Sequence, residues 1–507
     1  MNPANERYIE IDRAVFASAC AGLFDQKKLL RAIFASDERE LDGRLKVYAV
    51  FSPSEGDVFN ILTFGLTEED LSYESVTPLV PAAHWYEREM RDMFGIVPSG
   101  HPDLRPLCLH GMYDRTIYTL RRDVTVDEIR KASDLAREDD YHFLDMKGEG
   151  VYEIPVGPVH AGVIEPGHFR FSAVGETIYH LDPRLFYTHK GTEKLFESRS
   201  FEDGVFLSER ISGVASFSHS SAYCMAVERM AGAEITPLAT AVRTLLIELE
   251  RLYNHIGDIG NLCAGTGFAV GYAKGALLKE TLMALNERLT GSRYLRDVNV
   301  IGGVTRDVFI KTNETQPTLN KVKNEFKEFM DFLQNSVSHI ERLEDAGVLP
   351  KEIARKMGAT GPAARASGID DDIRKAHPHL MYGSLAFDTK TRRAGDVYCR
   401  MMVRADEVES SFSIIESLLE QRHGGGLLVP DYKFTPGSQA LGYTEGPRGS
   451  IFYWVKSGKD GRPLRVKARS ASFCNWPLMP FAINGNIVPD FPLVNKSFNL
   501  SYSGCDL

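Results

Sequence analysis

The residues able to do chemistry gather in four stretches whose glycines and prolines interrupt any helical or strand period. The first is Gly157-Pro-Val-His160-Ala-Gly-Val-Ile-Glu165-Pro-Gly-His168-Phe-Arg170-Phe. The second runs from Glu209-Arg210-Ile-Ser212-Gly213-Val-Ala215 through His219 to Tyr223 and on into Glu228-Arg229. The third is Thr444-Glu445-Gly-Pro-Arg448-Gly449, and the fourth is the tail from Pro489 to Leu507. Histidine, carboxylate and arginine can carry protons, ligate metals or stabilise negative charge. Taken singly, each reads as a turn or capping residue; their combination carries the argument.

Most local signatures of catalysis are missing. The sequence has no G-x-x-x-x-G-K-[ST], no H-E-x-x-H and no G-x-S-x-G, so nucleotide hydrolysis, zincin chemistry and the usual esterase elbow lack support. Gly265-Thr-Gly267-Phe-Ala-Val-Gly271 has one residue too many for a dinucleotide loop and follows a helix, so it reads as a loop or helix start. The seven cysteines, Cys20, Cys108, Cys224, Cys263, Cys399, Cys474 and Cys505, form no C-x-x-C pair. That excludes a sequence-evident zinc ribbon or an Fe–S cluster held by this chain alone. The odd count, without a signal peptide ahead of Met1, points to a reducing cytoplasm.

The net charge of −10 argues against nucleic acid as a partner, and no uncharged apolar run reaches the length of a membrane span. One basic run, Lys456, Lys459, Arg462, Arg465, Lys467 and Arg469, reads as a hairpin with solvated charged faces.

These stretches need elements to position them, and the pattern predicts an α+β protein. Residues 1 to about 120 form a small α/β domain, with a hairpin from Leu45-Lys-Val-Tyr-Ala-Val-Phe-Ser and Val58-Phe-Asn-Ile-Leu-Thr-Phe-Gly, whose turn holds Gly56 and Asp57. A helix over 81–95 follows, with Glu87 and Arg91 in i,i+4 register and Gly95 as its stop. Residues 121–150 are dense in charge, including Asp123, Asp127, Glu128, Glu138, Asp139 and Asp140, and read as a connector. Residues 151–507 form a mainly helical domain with peripheral strands. Thr236-Pro237 caps a helix carrying Val242, Leu245, Leu249, Leu252 and Ile256. A second helix after Pro317 carries Leu319, Val322, Phe326 and Leu333 to a stop near Gly347, and a third carries Val408, Phe412, Ile415 and Leu418 to Gly424. From about Arg448 to the end the chain returns to strands and turns. Glu248, Arg251, His255 and Asp258 share the first of these helices, where burial demands mutual pairing; structure is the first reading, proton transfer the alternative.

With these stretches in order, the chain resembles a known family. Residues 151–507 look like the large subunit of the membrane-bound [NiFe]-hydrogenases of the hydrogenase-4 and formate hydrogenlyase type, homologous to the forty-nine-kilodalton quinone-site subunit of respiratory complex I. Residues 1–120 look like the thirty-kilodalton subunit of complex I, through Glu87-Arg-Glu-Met-Arg-Asp-Met-Phe-Gly-Ile and Gly100-His-Pro-Asp-Leu-Arg105. In that family four cysteine thiolates from two C-x-x-C pairs hold nickel and iron. The matching positions here are Ser212, Ala215, Ser501 and Gly504, with Cys505 one residue out of register. A serine hydroxyl stays protonated near neutral pH and cannot replace a soft, electron-donating thiolate. The resemblance therefore implies a chain without a Ni–Fe site. Metal-bearing relatives also lose a C-terminal extension after a basic residue; that position is Leu507 here.

The quinone reading is strained as well. The head-group His and Tyr of the quinone-site subunit fall on Ile164 and Gly213 in an ungapped reading, and a gapped one brings in His160, His168 or His219. Glu165 matches the residue that passes protons away from the metal, and Arg448 the arginine that overhangs it. The resemblance implies a metal-free core subunit of a complex I-related respiratory complex, itself not an active hydrogenase. It would couple electron arrival from Fe–S partners, with quinone as candidate acceptor, to proton or ion translocation. The alternative is a structural scaffold without redox chemistry. The implied partners are the Fe–S subunit carrying the cavity-proximal cluster, a ferredoxin-like Fe–S subunit and membrane ion-pumping subunits, on the cytoplasmic face of the inner membrane. Quinone and NAD binding are implied for the whole assembly.

Overall fold

The β-branched and aromatic runs of the N-terminal third pair as their alternation suggests. In this computed structural model, which describes residues 5–53, 56, 58–111, 114, 116–133, 141–160, 164–429 and 432–507, four strands form one sheet. They are Glu6–Glu10 (β1), Leu29–Asp37 (β2), Leu45–Ser52 (β3) and Phe59–Leu66 (β4), in the order β1-β4-β3-β2 with only β1 and β4 parallel. Helices Phe16–Asp25 (α1) and His84–Phe94 (α2) pack on it, and Gly95 ends α2 with φ +74°, a left-handed stop that costs glycine nothing. Asp57, Glu138, Asp139, Asp140 and residues 161–163 lie outside the described residues.

Glu87 and Arg91, in i,i+4 register, do not pair with each other. Glu87 is fully buried and accepts from Tyr73 Oη (2.7 Å), Ser75 Oγ (2.6 Å) and the amides of Val76 (2.8 Å) and Thr77 (3.0 Å). Arg91 turns instead to the Leu104 carbonyl. Register alone placed them together; the loop folding over the helix start gave Glu87 stronger donors.

The described part of the connector touches both units. Residues Val126–Ser133 form a helix, the Arg122 amide donates to Asp37 (2.8 Å), and the Leu144 amide donates to Asp182 (3.1 Å). Beyond it, Val151–Val156 (β5), His168–Val174 (β6) and Thr177–Arg184 (β7) form an antiparallel meander. Helices Ser216–Ala231 (α3), Pro237–Gly265 (α4), Ala269–Thr290 (α5), Thr312–Gln334 (α6) and Val397–Glu420 (α7) make the bundle, and α4 runs along its axis against α3, α5 and α7. Thr236 caps α4 through the Ala239 amide (3.1 Å), as its sequence predicts. Helix α6 begins at Thr312, ahead of Pro317, since a long helix tolerates one missing N–H, and it breaks at Asn335 before a separate helix Val337–Leu343.

The tail departs from expectation. Gln439–Gly446 (β8), Gly449–Ser457 (β9) and Pro463–Arg469 (β10) form a meander. From Ser470 onward, however, the chain is mostly short helices, among them Phe491–Phe498 (α8) and Tyr502–Asp506 (α9).

The basic run is the larger correction. Lys459 and Arg462 are exposed at the β9–β10 tip, while Lys456, Arg465, Lys467 and Arg469 are buried. Three of these face carboxylates from remote segments: Lys456 meets Glu38 at 2.6 Å, Lys467 meets Glu89 at 2.7 Å, and Arg465 meets Glu193 at 2.6 Å. Trp454 of β9 packs against Phe34 and Tyr48, with ring centroids at 5.0 and 4.8 Å. The third sheet is thus the seam on which the N-terminal sheet is seated.

Candidate functional site

The fold brings all four cysteine-matching positions together. Ser212 follows the buried Glu209 at the end of a short helix, Ala215 precedes α3, and Ser501 and Gly504 begin α9. Ser212 Oγ donates to Ser501 Oγ at 2.9 Å across 289 residues of chain. Ser501 Oγ also accepts the Gly504 amide (2.9 Å), so it caps the short final helix, and its own amide donates to Ser472 Oγ (2.9 Å). Ala215 is tied to the Ser212 carbonyl through its amide at 3.2 Å.

The space between them is small. A cavity of about 20 Å³, room for one water molecule, is lined by Ser212, Ala215, His219, Arg448, Ser501 and Gly504. A Cβ added at Gly504 would stand 3.0 Å from both Cβ and Oγ of Ser501 and 3.2 Å from Ser212 Cβ. This donor set of two neutral hydroxyls, a methyl group and a glycine does not fit a nickel–iron centre. Among the described residues no cluster of three His, Cys, Asp or Glu side chains could hold a metal ion. Cys505 is buried in α9 away from the cavity lining, and desolvation pushes its thiol well above the usual range.

Of the three candidate histidines, one reaches the cavity. His219 is buried, its Nδ1 lies 2.9 Å from the Tyr453 hydroxyl, and desolvation lowers its pKa to about 3, so it is neutral. His160 Nε2 donates to the Gly167 carbonyl (2.8 Å), and His168 Nδ1 donates to the Gly157 carbonyl (3.1 Å). Both close the β5–β6 loop instead of entering the cavity. Gly157 stands at φ +83°, where a Cβ would meet the Gly167 carbonyl oxygen at 2.2 Å, so that loop demands glycine. Ile164 is half exposed, and a Cβ at Gly213 would meet nothing within 4 Å, so neither position faces a closed pocket. Glu165, half-buried, accepts the Ser503 amide at 3.0 Å and so reaches the base of α9 from outside the cavity.

Arg448 sits in the two-residue turn between β8 and β9, where Gly449 at φ +130° presses on Gly361 and leaves no room for a side chain. Its guanidinium donates to Asn254 Oδ1 (2.6 Å), Asp258 Oδ1 (3.0 Å) and the Asn499 carbonyl (2.9 Å). The arginine is pinned to α4 and forms one wall of the cavity.

From Asp258 the ionisable groups of α4 continue inward. Arg404 approaches Asp258 at 3.4 Å; His255 meets Glu407 at 2.8 Å; Arg365 bridges Glu407 (2.7 Å) and Glu445 (2.8 Å). Glu248 accepts from Tyr382 Oη (2.6 Å), Ser411 Oγ (2.6 Å) and Arg374 (3.0 Å). Burial drives His255 down to about 4 and Glu445 up to about 7, whereas the arginines beside Glu407 outweigh its desolvation and hold it ionised. Of Glu248, Arg251, His255 and Asp258, expected to pair mutually, only Glu248 and Arg251 pair with each other (3.3 Å); His255 and Asp258 are paired by groups that sequence reading passed over, Glu407 and Arg404, and by Arg448, while Arg365 and Arg374 join the same cluster. For Arg404 and Glu407 the signal was a charged residue on the apolar face of the long helix α7; Arg365 and Arg374 lie in short helices of six and four residues that offer no such signal. Glu250 was missed too; it accepts the Phe217 and Ser218 amides (2.8 and 3.0 Å) at the start of α3.

Comparison with known proteins gives a consistent picture. Family models described as the 49 kDa subunit of respiratory-chain NADH dehydrogenase match residues 265–440 and 428–507, the 30 kDa subunit model matches 9–130, and nickel-dependent hydrogenase matches 190–264. Formate hydrogenlyase subunit 5 of Escherichia coli is 36 % identical over 95 % of this chain and 85 % of its own length. Hydrogenase-4 component G of the same organism is 34 % identical over 94 % and 83 %. A chain from the structure of an archaeal membrane-bound sulfane sulfur reductase, a respiratory membrane complex, aligns with a TM-score of 0.67 at 29 % identity, over 71 % of this chain and 99 % of that one.

Proposed function

The chain belongs to the family uniting the 49 kDa and 30 kDa subunits of respiratory NADH dehydrogenases with membrane-bound hydrogenase large subunits, and we propose that it is a metal-free core subunit of such a complex. The observation that carries the reading is the Ser212–Ser501 hydrogen bond beside Gly504, inside a cavity of about 20 Å³. Hydroxyls occupy the places where thiolates are needed, and they are spent on each other and on capping α9. Stoichiometric nickel in the purified complex, measured by plasma mass spectrometry, would overturn it.

In this reading electrons arrive through an Fe–S partner subunit, and the ionisable core from Arg448 through Asp258 to Glu407 couples that arrival to proton or ion movement by membrane partners. Quinone is the candidate acceptor in this reading. Among the described residues no helix is long and apolar enough to cross a membrane. In this reading the chain attaches through partners on the cytoplasmic face.

A second reading, a scaffold without redox chemistry, is favoured by the small size of the same cavity. Glu165→Gln tests whether that carboxyl takes part in coupling. It keeps an acceptor for the Ser503 amide but cannot carry a proton, so a role for Glu165 predicts impaired ion transport with an intact complex. Unchanged transport removes Glu165 from the mechanism.

A further inference from the structure

The buried ion pairs fall into groups that do not each balance. At the cavity, Arg404 (3.4 Å) and Arg448 (3.0 Å) share one carboxylate, Asp258. Farther from the cavity along α4 the excess reverses. Among the described residues three arginines, Arg251, Arg365 and Arg374, are joined by ion pairs to four carboxylates, Glu248, Asp372, Glu407 and Glu445. His255, the remaining member, is neutral and adds no cation. All of these side chains are 3 % exposed or less. In a group removed from water with one carboxylate in excess, a bound proton costs less than an unpaired charge.

The donors show which carboxylate is in excess. Glu248 accepts from Arg251, Arg374, Tyr382 and Ser411. Glu407 meets Arg365 (2.7 Å), His255 (2.8 Å) and Arg251 (3.5 Å), and Asp372 takes Nη2 (2.7 Å), Nε (3.0 Å) and the amide (3.0 Å) of Arg374. Glu445 has one close donor, Arg365 Nη1 at 2.8 Å, and the Ile373 amide at 3.4 Å. The same guanidinium nitrogen lies 3.8 Å from Asp372, so a second carboxylate faces Glu445 across it. Arg251 turns its Nη2 to the Glu445 carbonyl (2.6 Å) and not to the carboxylate.

On the other elements packed around β8 the cations are engaged elsewhere. Arg31 of β2 pairs with Asp371 (2.7 Å), α3 sets Arg229 against Glu6 (2.9 Å), and Arg469 of β10 donates to the Ser450 carbonyl. Burial lifts the Glu445 carboxyl to about 7, with Asp372 adding to the rise and Arg365 and Arg251 opposing it. At Glu248, Asp372 and Glu407 burial is outweighed by the arginines, and those carboxylates stay ionised.

We propose that Glu445 is the proton store of this network: it takes a proton from solvent water to become a neutral carboxylic acid and returns it there to become a carboxylate, while Glu248, Asp372 and Glu407 stay charged. The storage is a property of this chain at rest; its use in ion movement rests on the coupling reading above.

Infrared difference spectra of the intact complex between about pH 5 and pH 8 test it, because a carboxylic acid has a carbonyl stretch that a carboxylate lacks. The native complex is expected to lose carboxylic-acid intensity as pH rises. Glu445→Gln is expected to lack one component of that change, distinct from the component that Glu250→Gln removes. Where Glu445→Gln does not assemble, Glu445→Asp gives the reading, with a titrating component retained at a displaced midpoint. The proposal is overturned if Glu445→Gln shows the native change in full, or if Asp372→Asn removes a component that Glu445→Gln keeps. An unmoved midpoint in Glu445→Asp also overturns it. Loss of the component in Glu445→Gln with unchanged ion transport would uphold the store and remove Glu445 from coupling.

Discussion

Lys467→Met tests whether the basic seam holds the two units together. Lys467 is 3 % exposed; its Nζ lies 2.7 Å from both oxygens of Glu89 and 3.2 Å from Glu193. Burial opposes charge on this ammonium, and the Glu193 and Glu89 carboxylates outweigh it, so the group stays protonated. Methionine fills the stem's volume but leaves Glu89 buried without its cation, whereas Glu193 keeps Arg465 (2.6 Å) and the Ala468 amide (3.0 Å). Removing one partner of a buried pair costs about 3–5 kcal/mol, most of it the stranded charge. Lys467→Met with Glu89→Gln removes that charge and is expected to return all but about 1 kcal/mol. Urea unfolding followed by tryptophan fluorescence reads this directly, because Trp85 on α2 and Trp454 on β9 are buried on the two sides of the seam. The reasoning fails if the single variant costs less than about 1 kcal/mol, or if the double variant is no more stable than the single one.

Other outcomes follow from the site. Gly504→Ala is expected to destabilise by about 1–3 kcal/mol through contact with Ser501 and Ser212; an unchanged thermal transition would show that Ser501 and Ser212 yield to a methyl group without cost. Arg448→Lys loses the fork that reaches Asn254, Asp258 and the Asn499 carbonyl together, and should cost about 1.5–3 kcal/mol in denaturant unfolding; recovery of native stability by lysine would refute a geometric role. Burial raises the pKa of Glu250 from 4.5 to about 7, so the folded state holds a proton that the unfolded chain releases. Its contribution to stability is full below 4.5 and is lost as pH rises through 7, by about 3 kcal/mol. Glu250→Gln should therefore flatten the stability profile between about pH 5 and pH 8, and an unaltered slope would exclude this carboxyl as its source.

Sequence alone determined the local elements and the chemistry that four positions cannot perform. The β3–β4 hairpin, the capped start of α4 and the stop at Gly95 follow from side-chain period and backbone freedom, which act over a few residues and are legible in order. The identities of Ser212, Ala215, Ser501 and Gly504 settle which donor atoms are offered, because a hydroxyl is not a thiolate in any fold. Tertiary structure decided what those residues do instead. That Ser212 and Ser501 bond to each other, that His219 enters the cavity while His160 and His168 close a loop, and that Glu87 turns inward all depend on segments remote in the chain or on loops without periodicity. The basic run shows the reason most clearly. Alternating lysines and arginines on a strand have the same pattern whether they face water or a row of carboxylates. Only the seating of the N-terminal sheet, which brings Glu38 and Glu89 against β9 and β10, turned a solvated face into a buried one.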